Sequence, residues 1–134
     1  MTPTAELKRG WHLIDANNKI LGRTAVQVAR ALSGRGKSNW CRIQDVGDHV
    51  VVVNCSKIRV TGKKATSKKY YHHTRYLGHL KTKSYSELMI QKPTEVMRHA
   101  VVGMLPDNRL KKGMLRRLHL YPGSEHPFAK HFSV

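Results

Sequence analysis

The stretch HVVVVN, His49–Asn54, decides how this chain folds. It is a short, nearly continuous apolar run between the turn-forming segments DVGD and NCSK, as expected for a strand covered on both faces. Reading outward, WHLIDA (Trp11–Ala16) combines β-formers with a turn at Asn17 and Asn18, which predicts an earlier strand. Between the two, Ala25, Val28, Ala29 and Leu32 recur at three- and four-residue steps, the period of an amphipathic helix. Gly34 stands where such a helix commonly ends in a left-handed residue. Strand, helix and strand in this order predict a parallel pair. Downstream, KIRVTG puts Ile58 and Val60 on one face and Lys57 and Arg59 on the other, predicting a half-exposed strand that ends at Gly62.

The second half reads mainly as helix. SYSE (Ser84–Glu87) has capping-box spacing and opens a short helix through Leu88, Met89 and Ile90. Pro93 can start another, with Val96, Met97, Ala100, Val101 and Met104 on one apolar stripe. That spacing makes the methionines core residues. NRLKKGMLRRL predicts a basic helix packed by Leu110, Met114 and Leu118, which presents Arg109, Lys111, Lys112, Arg116 and Arg117. HLYPG predicts a last strand and turn. No repeat or linker divides residues 1–134, so a single domain is expected, with residues 128–134 as its tail.

Charge narrows the function. The chain has 134 residues, 40% of them hydrophobic, enough for a modest core. Lys and Arg number 25 against 8 Asp and Glu, giving a formal net charge of +17. Such a chain repels itself when compact, which implies an anionic partner. From His49 to Ser86 there is no carboxylate, while Lys57, Arg59, Lys63, Lys64, Lys68, Lys69, Arg75, Lys81 and Lys83 all fall there. A solvated face normally mixes signs, so this stretch reads as an electrostatic footprint for a polyanion. Within it, residues 63–83 lack a helical or alternating apolar period and are expected to form an irregular basic extension. Tyr70, Tyr71 and Tyr76 interleave there with Lys, Arg and His. Their rings can stack on unpaired bases, or anchor the loop to the core.

Catalytic readings fare less well. Gly36, Lys37 and Ser38 end a Walker-like pattern, but Ala31 stands where its first glycine belongs, and the segment follows a helix instead of opening one. A basic turn is the better reading, on which Arg35 and Lys37 approach phosphate beside glycines. His72, His73 and His79 cluster without a carboxylate to support a metal. Asp45 and Asp48 flank Gly47 before a strand, which suits a turn with salt bridges to Arg or Lys. No GxSxG elbow is present. Cys41 and Cys55 lack metal-ligand spacing and read as free thiols of a reducing compartment. No apolar run approaches the ~20 residues of a membrane span, and the opening segment has no secretory h-region. A soluble intracellular protein without cofactor, metal, membrane partner or small-molecule substrate is expected.

The segments WHLIDANNKILGR, GDHVVVVNCSKIRVTGKK, KKYYHHT, VVGMLPDNRL and RLHLYPGSEHP, in this order, resemble the bacterial type of the large-subunit ribosomal protein thirteen family from Trp11 to about Pro127. The resemblance implies an α/β sandwich around a small, mostly parallel sheet with helices on both faces and a basic RNA-binding loop. It also implies a structural rather than enzymatic role: binding large-subunit ribosomal RNA beside neighbouring large-subunit proteins, early in subunit assembly. Such a protein would lie in the ribosome, in the cytoplasm or an organelle. It places Lys63, Lys64, Lys68, Tyr70, Tyr71 and His72 in an RNA-facing loop after a third strand, and Arg109 in a basic segment after GMLP. The family usually reads SGYPGG where this chain has TRYLGH (Thr74–His79), and HPHAAQ where it has HPFAKHFSV. A free regulator of messenger RNA using the same basic face, and a nucleotide-binding enzyme using GRGKS, are the alternatives.

Overall fold

A computed structural model describes residue 3 and residues 7–132. Strand β2 (His49–Val53) lies at the centre of a three-stranded sheet. It pairs in parallel with β1 (Trp11–Asp15) on one side, Trp11 opposite His49, and with β5 (Leu118–Leu120) on the other, Val50 opposite Leu118. All four valines of β2 are buried, which is why their run shows no alternation. Val50 and Val52 join Leu118 in the main core with Val28, Leu32, Met97, Val101 and Met114 from the helices.

Helix α1 (Leu21–Ser33) follows the predicted stripe, burying Ala25, Val28, Ala29 and Leu32. It stops at Gly34, whose φ of 74° is left-handed and whose N–H donates to the carbonyls of Arg30 and Ala31. Helices α3 (Tyr85–Gln91) and α4 (Pro93–Met104) follow in succession. Ser84 and Glu87 form the reciprocal capping box read from their spacing. In α4 Val96, Met97 and Val101 are wholly buried, but Met104 is 43% exposed, so the stripe ends one turn earlier than its spacing suggested. Helix α5 (Lys111–Arg116) precedes β5.

The α/β class and the mostly parallel sheet hold, and the second face of the sheet is closed in another way. Trp11, His49 and His119 project there, and the cover is the C-terminal segment with its 3-10 turn at Ala129–His131. The Trp11 ring lies between His49 at 4.3 Å and His131 at 3.9 Å, nearly parallel to both, while Phe128 lies 4.4 Å from His119. Burial lowers the pKa of His49 and of His119, and for His49 the charges of Arg117, His119, Arg9 and His131 add to the effect.

Two further expectations are corrected. KIRVTG is not a strand: Asn54 turns the chain with a φ of 58°, Cys55–Lys57 form a 3-10 turn, and Arg59 makes only an isolated parallel bridge to Ile20. Nor is the 63–83 extension irregular. A short helix α2 (Lys64–Ser67) leads into an antiparallel ribbon of β3 (Lys69–His73) and β4 (Leu80–Ser84), with Tyr70 opposite Lys83 and His72 opposite Lys81. TRYLGH is its connecting turn, with Arg75 and Gly78 at positive φ. Apart from Leu80, both faces of the ribbon carry polar or aromatic side chains, so no apolar alternation marks it in the sequence.

Candidate RNA interface

The carboxylates are largely committed within the protein. Asp45 accepts two hydrogen bonds of 2.6 Å from Arg117 and lies 3.7 Å from Arg9. Asp48 accepts from Lys37 at 2.5 Å, from the Gly10 N–H, and pairs with His12 at 2.8 Å. Burial opposes ionisation of Asp48, but the bonds from Lys37, His12 and Gly10 prevail and hold its carboxyl below the usual range. Asp15 is held down by Asn54 and the Asn17 N–H, Glu95 meets Arg98, and Asp107 meets Lys111 at 2.7 Å.

These pairings remove two residues from the predicted contact set. Arg117 is buried, and each of its five N–H donors is used: two on Asp45 and one each on the carbonyls of Leu32, Gly113 and Asp48. Lys37 turns its ammonium inward to Asp48 and to the carbonyls of Val46 and Lys8. It is therefore a strut between the turn after α1 and the lead into β2, and it is not aimed at a phosphate. The same geometry argues against a nucleotide loop.

Most of the other predicted residues are outward-facing. Lys57, Arg59, Lys63, Lys64, Lys69, His72 and Arg75 are exposed, with Lys68 half-buried. The tyrosines divide. Tyr70 is the anchor: it is half-buried, its ring lies 5.3 Å from His99, and burial raises its pKa. Tyr71 and Tyr76 are 65% and 74% exposed, and the Tyr76 ring stands edge-on to His79 with centroids 6.2 Å apart. The Lys68 ammonium sits 5.5 Å over the Tyr70 ring, which fixes it at the base of the ribbon. Arg109, Lys112 and Arg116 form a second exposed group around α5, where the charge of Lys111 is offset by Asp107.

Arg35, expected from the sequence to approach phosphate, is exposed and stacks 5.5 Å over Trp40, an orientation that charge counting does not reveal. Two further cations were not singled out by sequence. Arg23 and Arg30 are exposed on α1, at positions complementary to its apolar stripe, which was the signal available for them. Among the described residues no group of three His, Cys, Asp or Glu side chains could hold a metal ion, and no helix is long and apolar enough to cross a membrane. Both cysteines are free thiols, and burial pushes Cys55 up to about 11 against a backbone hydrogen bond from Tyr121.

The sequence profile of a family described as ribosomal protein L13 matches residues 9–127. Among similar proteins is the large ribosomal subunit protein uL13 of Nitratidesulfovibrio vulgaris, 50% identical over 96% of this chain and 90% of its own length. The protein of the same name from Thioalkalivibrio sulfidiphilus is 48% identical over 91% of this chain and 86% of its own. That from Lawsonia intracellularis is 52% identical over 87% and 81%. With a family profile spanning both the sheet and the ribbon, and relatives near half identity along almost the whole length, the chain belongs to the ribosomal protein L13 family.

Proposed function

We propose that this protein is a structural, non-catalytic constituent of the large ribosomal subunit that binds large-subunit ribosomal RNA and supports early assembly of the subunit. The observation that carries the reading is the division of charge. Asp45 and Asp48 are tied to Arg117 and Lys37 inside the fold, while the ribbon and its approaches, residues 49–86, present cations with no carboxylate among them. Lysines along α2 and β3 meet phosphates, and Tyr71 with Tyr76 offers rings to unpaired bases. Its partners on this reading are ribosomal RNA and adjacent large-subunit proteins.

The test replaces Lys63, Lys64, Lys68 and Lys69 together with Ala and measures binding to large-subunit RNA across a salt series. Each lost phosphate contact flattens the logarithmic salt dependence by roughly 0.7 to 0.9. An unchanged slope would place the footprint elsewhere. For the assembly role, depletion of the protein in cells should accumulate large-subunit precursors that sediment more slowly than the mature particle. A normal sedimentation profile after depletion would refute that role.

A further inference from the structure

We infer that the groove between α1 and α4 is a second RNA-backbone site, continuous with the ribbon and engaging its strand without regard to sequence. This rests on the RNA-binding reading above. Two adjoining clefts of about 490 and 550 Å³ share Val26 and Met104 in their walls. Those side chains are 55% and 43% exposed, an apolar floor left open on a chain whose remaining apolar helical residues are mostly packed. Arg23, Lys64 and Lys68 line the first cleft and Arg30 and Arg35 the second, and neither cleft has a carboxylate in its lining. Among the described residues none of these five cations forms an ion pair, in contrast to Lys37, Lys111 and Arg117.

A single-sign rim over an apolar floor fits an RNA strand, with phosphates on the rim and ribose or base edges on Val26 and Met104. Two cations are held in place beforehand, Lys68 over Tyr70 and Arg35 over Trp40, which lowers the cost of ordering them on binding. Lys64 and Lys68 belong both to the groove and to the base of the ribbon, so one strand can pass from one to the other. The floor of Val26 and Met104 offers no hydrogen-bond donor to read a base edge, hence the indifference to sequence. A protein segment is the competing occupant, and it would have to bring the negative charge itself.

The experiment compares wild type, the double variant Arg23→Ala with Arg30→Ala, and a ribbon variant with Lys69, Lys81 and Lys83 replaced by Ala, on large-subunit ribosomal RNA over a salt series. The groove variant should keep wild-type thermal melting and lose roughly 0.7 to 0.9 of logarithmic salt slope for each of two contacts. If the ribbon variant loses slope and the groove variant does not, the groove site is wrong and the RNA-binding reading survives. If neither differs from wild type, that reading falls as well. As an independent measurement, a photoreactive residue at Val26 in assembled subunits should cross-link to RNA. Cross-linking to protein alone would overturn the proposal even if the double variant failed to fold.

Discussion

Arg117 and Asp45 lie 72 positions apart in sequence and face each other through two parallel hydrogen bonds of 2.6 Å. The remaining guanidinium donors tie the last turn of α1, the start of α5 and the entry to β2 to the same point. This arrangement makes Arg117 a joint of the fold, in a protein whose other arginines are mostly at the surface.

Replacing Arg117 with Met should therefore destabilise the protein by about 3–5 kcal/mol, since the carboxylate and three carbonyls lose their donor. Arg117→Lys should recover only part of this, because an ammonium cannot bridge both oxygens of Asp45. Urea midpoints with unchanged slope are the measurement, and a Met variant as stable as wild type would refute the assignment.

Gly47 passes so close to α1 that a Cβ there would overlap the Leu32 carbonyl and approach Arg117 Nη2 to 2.8 Å. Gly47→Ala is expected to yield insoluble protein, or a thermal transition lowered by many degrees. Gly36→Ala, with open space around its Cβ, is the matched control and should melt normally.

Acid should weaken the fold through Asp48. Its folded pKa lies below the ordinary 3.8, so the stability it contributes is present above that value and lost as pH falls through the folded pKa. Asp48→Asn should lower stability at neutral pH and flatten the decline on the acid side. Urea midpoints taken between about pH 6 and pH 2 test both signs.

His49 and His119 act in a milder range. Both have folded pKa values below the ordinary 6.5, so the unfolded chain takes up protons first and stability declines as pH falls from 6.5 through the folded values. Changing both to Phe should flatten this part of the stability profile. A profile as steep as that of wild type would mean that the rings under the C-terminal segment do not titrate.

Val101 is wholly buried in α4 against the central core. Val101→Asp would place an unpaired charge there, at a cost of at least several kcal/mol, a large share of a small domain's stability. Aggregated or poorly folded protein is expected, and near-normal melting at neutral pH would contradict the packing of α4.

The central strand, α1 with its glycine stop, the capping box and α4 were legible because each has a local signature: an apolar run, a 3.6-residue period, a spacing of three. The ribbon was not, since its strands are held by backbone pairing and present polar groups on both faces. Arg117 and Lys37 read as free cations for a different reason. Their partners are set by tertiary approach, and a count of charges cannot distinguish a lysine folded back on an aspartate from one waiting for a phosphate. The turn position of Asp45 and Asp48 hinted at salt bridges, without saying which cations they would take. Trp40 and the C-terminal rings gave no periodic signal, because their contacts lie outside helices and long strands.

The order β1-β2-β5 bears on how the chain matures as it is synthesised. β1, α1 and β2 are contiguous and can associate as soon as they emerge, but the other edge of β2 stays unpaired until Leu118–Leu120 follows the ribbon and three further helices. Arg117 directly precedes β5, so closing the sheet edge and completing the Asp45–Arg117 pair occur together, after the ribbon and the helices that follow it have been made. Until then the nascent chain exposes a valine-rich edge, a template for mispairing between chains. A ribosome stalled before Leu118 should hold a chain that is protease-sensitive and prone to aggregate, and release of a chain that includes Leu118–Leu120 should convert it to the protected form.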